Sequence, residues 1–215
     1  MALAVKICGV RDAEAARACV AAGVDFAGLN FVPSSRRRVT VGDAAALLPL
    51  LGPVTAVGVF QDAPADEVRR IARRVGLGWV QLHGDEPVEA CVALRAAGLR
   101  VIKALALRDA RDVRALADYA PVVDLLLLDG PRPGGGERFE YALLRGSRLD
   151  RPFLLAGGLS PENVAFAVRA VRPYGVDAAS GVEREPRPCR PCSPVSGATR
   201  QDRDPRDGGP ALITV

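Results

Sequence analysis

The chain has 215 residues, enough for one α/β domain with a sizeable core. It is 49% hydrophobic and 25% charged, as ordinary soluble globular proteins are, and no apolar run reaches the roughly 18 residues of a membrane helix. The net charge is +4, but aromatic residues make up only 5% and do not alternate with basic ones. This argues against nucleic acid and favours a small phosphorylated substrate.

The five cysteines are scattered and odd in number, at positions 8, 19, 91, 189 and 192. Such usage is typical of a reducing compartment rather than a disulfide scaffold. The few residues before the first apolar run are too short for a secretion signal. We therefore expect a cytoplasmic protein that contacts neither a membrane nor nucleic acid.

Short apolar runs alternate with helical patterns along most of the chain. Eight runs begin near Val5, Asp25, Val54, Gly78, Leu99, Val122, Arg151 and Gly175, and seven of them are followed by a helical pattern. The predicted helices include residues 12–22, 42–51, 64–75, 86–97 and 109–119. Eight such units predict an α/β fold, a (β/α)₈ TIM barrel of parallel strands and crossover helices. An open doubly wound sheet is the main alternative, but no Gly-x-Gly-x-x-Gly motif follows a strand.

Local signals mark two of the helix starts. Asp12 is a predicted N-cap, and Gly23 is expected to end the helix that follows it. Ser160 is a predicted serine cap, with Pro161 at the first helical position.

The first apolar run ends in Cys8 and a glycine. In a parallel barrel this cysteine lies at the carboxyl end of strand one, on the rim where barrel enzymes keep their catalytic residues. Strand alternation puts Lys6 and Cys8 on one face and Val5 and Ile7 on the other.

Asp129 closes a wholly apolar run, Leu125 to Leu128. Alternation places its carboxylate on the same face as Leu125 and Leu127. Since an unpaired buried carboxylate is costly, we expect Asp129 at the barrel mouth, where it either takes part in chemistry or caps a loop.

Glycines follow the last two predicted strands, at Gly157 and Gly158 and again at Gly181 after Ser180. The loops after strands seven and eight are where TIM barrels commonly bind phosphate, because glycine lets backbone amides approach the ligand. This pattern predicts a phosphate site; a pair of tight turns is the alternative.

Two further features point to the same rim. His83, the single histidine, follows strand four, where it either contacts substrate or caps the loop, and one histidine argues against a histidine-based metal site. Three consecutive arginines, residues 36–38, follow strand two and suit an anionic substrate, although at least two of them are expected to be solvated.

The pattern breaks near the C-terminus. Residues 184–215 contain six prolines, six arginines, four acidic residues and no helical periodicity, so an eighth helix is not predicted. We expect a barrel domain at 1–183 and a poorly ordered tail at 184–215. Cys189 and Cys192 have the spacing of a metal or redox pair, but without further ligands we favour a chance spacing over a metal site.

Taken together and in order, the segments resemble the phosphoribosylanthranilate isomerase family of tryptophan biosynthesis. The resemblance covers about residues 5 to 183. The matching segments are Lys6–Gly9, Ser35 with Arg37, Gly58–Phe60, Gln81–Glu86, Leu127–Asp129, Ala156–Val164 and Asp177–Glu183.

The resemblance implies a TIM barrel without a cofactor that carries out an Amadori rearrangement. The substrate would be N-(5-phosphoribosyl)anthranilate and the product 1-(2-carboxyphenylamino)-1-deoxyribulose 5-phosphate. By position, Cys8 matches the general base, Asp129 the general acid, and Arg37 the arginine near the anthranilate carboxylate. The phosphate loops match Gly157, Gly158, Ser180 and Gly181. Asp129 would need a raised pKa and Cys8 a thiolate, and we expect Lys6 to favour that thiolate.

Two departures from the family pattern stand out. The family's aromatic residue after the glycine-rich loop of strand six appears here as Phe139-Glu140-Tyr141, a mild change, and the last helix is replaced by the tail. The abrupt switch suggests a reading-frame change in the gene, which resequencing the locus would test.

Loss of the last helix predicts a destabilised barrel that is a monomer or a weak homodimer, with residues 211–215 or another subunit covering the gap. Two alternatives to an active isomerase therefore stay open. One is a barrel that binds phosphate without turnover. The other is a related histidine-pathway isomerase, although that relative uses a pair of aspartates.

Overall fold

Eight parallel strands close into a barrel in chain order. A computed structural model describes residues 3–131, 140–144, 149 and 151–182. The strands are Ala4–Cys8 (β1), Phe26–Asn30 (β2), Thr55–Phe60 (β3), Trp79–Leu82 (β4), Arg100–Ala106 (β5), Leu125–Asp129 (β6), Phe153–Leu155 (β7) and Gly175–Ala178 (β8). Each strand pairs with the next, and β8 pairs with β1. The predicted (β/α)₈ TIM barrel is therefore confirmed for the described part of the chain.

The α-helices lie outside the barrel and alternate with the strands. They are Ala13–Ala21 (α1), Val41–Leu51 (α2), Ala65–Val75 (α3), Val88–Ala96 (α4), Ala110–Tyr119 (α5) and Val164–Val171 (α6). The predicted boundaries for the first five are right to within two residues at each end.

Strand alternation divides the apolar core into two layers. The inner layer fills the barrel and consists of Ala4, Phe26, Val57, Ile102, Ala104, Leu125, Leu127, Leu154 and Ala156, with Trp79 packed against them. The outer layer, between strands and helices, contains the alternate residues such as Ile7, Leu126 and Leu128. Because both faces of β6 are covered, all five of its residues are buried.

Side-chain caps explain where several helices begin. Asp12 accepts a hydrogen bond from the amide of Ala15 at 2.9 Å, as predicted, and Gly23 follows α1 with a φ of 66°. Thr40 and Asp43 form a reciprocal capping box at the start of α2. These local contacts satisfy backbone amides that would otherwise lack partners.

One local prediction was wrong. Ser160 does not cap α6 with its side chain; its hydroxyl donates to the Glu162 carboxylate, and the helix begins at Val164, after a turn over residues 161–163. Between β6 and β7 the described residues contain a 3₁₀ turn, Tyr141–Leu144, and the rest of the helical pattern predicted there lies mostly outside the described residues. The carboxyl group of Glu162 competes for the hydroxyl that a cap would need.

Several expectations fall outside the described residues. These are the tail at 184–215 with Cys189 and Cys192, and Phe139 after strand six. Among the described residues, which end at Val182, β8 is followed by a 3₁₀ turn, Ser180–Val182. None of the helices in the described part of the chain is long and apolar enough to cross a membrane.

Candidate active site

A cavity of about 420 Å³ opens at the carboxyl ends of the strands. All eight residues that the sequence singled out border it: Cys8, Arg37, His83, Asp129, Gly157, Gly158, Ser180 and Gly181. The closed barrel brings together residues that are up to 173 positions apart, because every strand ends at the same rim. Their chemical roles stay predictions.

Cys8 reaches this cavity from the end of β1, with its neighbour Gly28 directly opposite on β2. A Cβ atom at position 28 would lie 2.9 Å from the Cys8 sulfur, which is closer than such atoms approach. Glycine at this position therefore leaves the room that the thiol occupies.

A buried ion pair lies beneath the thiol, inside the barrel. The Nζ atom of Lys6 donates to Oδ1 of Asp177 at 2.8 Å, and Lys6 is completely buried. The pairing of β1 with β8 sets these two residues directly beside each other. Burial alone would lower the pKa of Lys6, but attraction to Asp177 and Cys8 outweighs it and raises that pKa.

Burial also governs the thiol itself. Desolvation raises the pKa of Cys8, the charges of Lys6 and Arg37 lower it, and the charge of Asp177 raises it. The net pKa of Cys8 lies above its ordinary value. Lys6 thus acts in the direction we expected, but it does not overcome burial, so the resting sulfur is a thiol.

Asp129 lies at the end of β6, and each of its two carboxylate oxygens contacts a neighbouring group. Its Oδ1 atom accepts from the backbone amide of Gly130 at 2.7 Å, and its Oδ2 atom lies 3.3 Å from Nε2 of His83. The other ring nitrogen of His83 is 2.6 Å from the amide nitrogen of Gln81. His83 therefore contacts the candidate acid directly, a contact that the sequence pattern did not reveal.

Arg37 reaches over the end of β1 from the loop after β2. A Cβ atom at Gly9, whose φ is 93°, would collide with the Arg37 side chain. The hydroxyl of Ser35 accepts from the Arg37 amide at 3.1 Å and shapes this turn. Arg36 and Arg38 are exposed, whereas Arg37 is half-buried. Arg36 and Arg37 both border the cavity that contains Cys8, and Arg37 is the more buried of the two.

The glycine loops also line the cavity. Gly157 and Gly158 have φ angles of 87° and 59°, a region that favours glycine. The side chain of Asn163 donates to the Gly158 carbonyl at 2.8 Å and accepts from the Ser160 amide at 3.1 Å. A Cβ atom at Gly181 would collide with the Leu159 backbone, so the two loops pack against each other only with glycine there.

A second buried ion pair supports the rim from the outer layer. Lys103 donates to Glu86 at 2.7 Å and to the carbonyl of Gly84 at 2.6 Å, and both charged side chains are almost completely buried. Glu86 also accepts from the amides of Asp62 and Gly84. This cluster fixes the loop after β4, which begins with His83.

Sequence reasoning missed the roles of Asp177, Gln81 and Lys103. Each is a polar residue within an otherwise apolar strand. A polar residue next to an apolar run was also the signal that singled out Asp129. Their partners lie 171, 2 and 17 positions away, and only the closed barrel places the first pair together. Within the described ranges, no group of three His, Cys, Asp or Glu residues could hold a metal ion.

Comparison with known proteins identifies the family. Residues 5–185 match the family model described as N-(5'phosphoribosyl)anthranilate (PRA) isomerase, so residues 186–215 lie outside the match. An N-(5'-phosphoribosyl)anthranilate isomerase of Myxococcus xanthus is 49% identical over 193 residues, which cover 86% of this chain and 90% of that protein.

Solved structures agree with the sequence comparison. The phosphoribosyl anthranilate isomerase of Thermus thermophilus is 41% identical, with a TM-score of 0.78 over 86% of this chain and 90% of its own. Another such isomerase, 38% identical, has a TM-score of 0.76 over 84% of this chain and 89% of its own. That structure is a complex with reduced 1-(o-carboxyphenylamino)-1-deoxyribulose 5-phosphate. The chain therefore belongs to the N-(5'-phosphoribosyl)anthranilate isomerase family, the isomerases of tryptophan biosynthesis.

Proposed function

We propose that this chain converts N-(5-phosphoribosyl)anthranilate into 1-(2-carboxyphenylamino)-1-deoxyribulose 5-phosphate, with Cys8 as general base and Asp129 as general acid. The observation that carries the proposal is that both residues border one cavity, which Arg37 and the glycine loops also line. The substrate class is that of the compound bound in the related isomerase structure. No cofactor is needed, because the reaction only moves protons and electrons within one molecule.

The cavity offers complementary groups for both ends of this substrate. The guanidinium of Arg37 pairs with the anthranilate carboxylate, which it can hold through two hydrogen bonds. The phosphate lies against Gly157, Gly158, Ser180 and Gly181, where glycine lets backbone amides approach closely. The ribose carbons then lie between Cys8 and Asp129.

The acid step opens the sugar ring. Asp129 gives a proton to the ring oxygen, the bond from that oxygen to C1 breaks, and the nitrogen lone pair forms a C1=N double bond. The resulting carboxylate is stabilised by the Gly130 amide at 2.7 Å and by His83 at 3.3 Å.

The base step moves the hydrogen from C2. The thiolate of Cys8 removes the C2 proton, and the electron pair forms a C1=C2 double bond while the nitrogen becomes neutral. Loss of the hydroxyl proton at O2 and addition of a proton at C1 then give the ketone. The charge of Lys6 lowers the pKa of Cys8 and so assists formation of the thiolate.

The direct test measures conversion of anthranilate-linked ribose phosphate by the purified protein. We expect turnover in the unaltered chain and a loss of roughly 10²–10⁴-fold in kcat for Cys8→Ala or Asp129→Asn, because each removes one proton transfer. Arg69→Ala, on the exposed side of α3, is the matched control. Turnover unaffected by either active-site change would contradict the assigned roles.

One alternative is that the barrel binds phosphate without turnover, because residues 186–215, for which the sequence predicts no helix, lie outside the family match. Calorimetry with inorganic phosphate, run beside the assay and a complementation test in a tryptophan auxotroph, separates the two. Phosphate binding without conversion or growth would select the inactive barrel.

A further inference from the structure

His83 lies between two side chains that each face one of its ring nitrogens. The amide nitrogen of Gln81 is 2.6 Å from Nδ1, and Oδ2 of Asp129 is 3.3 Å from Nε2. Alternation along β4 and beyond its end puts residues 81 and 83 on the same inner face. The three side chains therefore form a continuous hydrogen-bonded row that ends at the candidate acid.

The donor at position 81 dictates the tautomer of the ring. An amide N–H can only donate, so Nδ1 must accept and carries no proton. In a neutral imidazole the proton then resides on Nε2, which directs an N–H bond toward Asp129. This is the tautomer that stabilises a carboxylate at position 129.

The orientation of the Gln81 amide has a cost that calls for an explanation. Gln81 is completely buried, and its Oε1 atom has no hydrogen-bond partner among the described residues. A buried acceptor without a partner is destabilising, because the water it has lost is not replaced by another donor. Turning the amide by 180° would bring Oε1 against Nδ1, move the proton there, and aim the Nε2 lone pair at the Asp129 carboxylate.

We propose that Gln81 is a positioning residue, which fixes the Nε2–H tautomer of His83 so that His83 stabilises the carboxylate left when Asp129 gives up its proton. The inference rests on the proposed function, since it needs Asp129 as the acid. It assigns the single histidine a role beyond touching substrate or capping a loop. Gln81 touches no reacting atom and acts only through His83.

The test uses the fact that the chain contains only one histidine, so its imidazole nitrogens can be observed without overlap. Nitrogen NMR of ¹⁵N-histidine-labelled protein near pH 8, above the ordinary histidine pKa of about 6.5, reports the tautomer directly. We expect Nδ1 to be unprotonated in the unaltered chain. Gln81→Glu should place a proton on Nδ1, and Gln81→Met should give a mixture of both tautomers.

We expect turnover to fall in the variants in which the tautomer of His83 changes. We expect kcat to fall roughly 10- to 100-fold in both Gln81 variants, the usual range for residues that orient an active-site group, with a smaller change in KM. Circular dichroism and thermal unfolding of the same samples identify any variant that loses activity by unfolding. Wild-type nitrogen shifts together with wild-type kcat in Gln81→Met would overturn the inference, and so would a protonated Nδ1 in the unaltered chain.

Two further variants separate this inference from the proposed function. Cys8→Ser should lose turnover yet keep the tautomer, because the thiol is not part of the row. If Asp129→Asn retained full turnover, the acid role would fail, and the catalytic half of this inference with it. The Nδ1 signal would still show whether Gln81 sets the tautomer.

Discussion

At the residue scale, Cys8 poses the main chemical problem, because a general base must lose its proton in a site that disfavours charge. Burial raises the pKa of Cys8 and the Lys6 charge opposes it, so the thiolate is a minor form at neutral pH. Such a base can still be effective, since a thiolate of high pKa is a strong proton acceptor. The charge of Lys6 increases the fraction of Cys8 that is present as the thiolate.

Lys6→Met should therefore slow the alkylation of Cys8 by iodoacetamide at about pH 8 and move its pH dependence upward. Loss of the positive charge removes the interaction that lowers the pKa of Cys8, while the charge of Asp177 continues to raise it. The rate should rise with pH in both proteins, with a midpoint above the ordinary thiol value of about 8.5.

Alkylation of the other four cysteines must not contribute to the measured rate. Cys19 and Cys91 are buried with pKa values of about 11, and Cys189 and Cys192 are replaced by serine throughout. Arg69→Met removes an exposed positive charge that does not border the cavity, and should leave the reaction of Cys8 unchanged. An unshifted pH dependence in Lys6→Met would show that Lys6 does not influence the thiol.

The sequence was sufficient to place the residues that end apolar strands, but it was insufficient to predict which residues pair inside the barrel. Cys8 and Asp129 could be placed at the barrel mouth because each ends an apolar run, and the strands of a parallel barrel all end at one rim. Asp177 and Lys6 are equally unusual in apolar runs, but their pairing depends on the register of β8 against β1. A sequence of alternating elements does not specify that register.

At the element scale, the loop after β4 is held in place by charge rather than by helix capping. A helix start at Glu86 was predicted from the sequence, yet α4 begins at Val88, and Glu86 instead accepts from two loop amides and from Lys103. The helical pattern cannot anticipate this, because the competing donor comes from β5. His83, the first residue of the loop, keeps its place through this cluster.

Lys103→Met should destabilise the protein by roughly 3–5 kcal/mol, because it leaves the Glu86 carboxylate buried without its cation. Urea unfolding followed by circular dichroism measures the change. Arg69→Met, which breaks the exposed Arg69–Asp66 pair on α3, should have little effect on the free energy of unfolding. Equal stability losses in the two variants would refute a special role for the buried pair.

At the scale of the whole molecule, the family match ends at nearly the same residue at which the sequence stops predicting helices. The match ends at residue 185, and no α-helix follows β8 among the described residues, which end at Val182. Helices α6 and α1 flank the position of an eighth helix, and they carry exposed Phe166 and Val20. An eighth helix would bury several apolar side chains, each worth roughly 1.5–3 kcal/mol, against a total stability of about 5–15 kcal/mol for a domain.

We therefore expect a destabilised barrel that associates through the α6–α1 side, with a midpoint of thermal unfolding that rises with protein concentration. Light scattering and thermal unfolding across a wide concentration range measure both properties. Phe166→Glu should weaken association, because Phe166 is 61% exposed and a charge there would have to be desolvated in an interface. Val92→Glu, on α4 at the opposite side of the barrel, should leave association unchanged. A monomer with a high, concentration-independent midpoint would show that the stability of the barrel does not require an eighth helix.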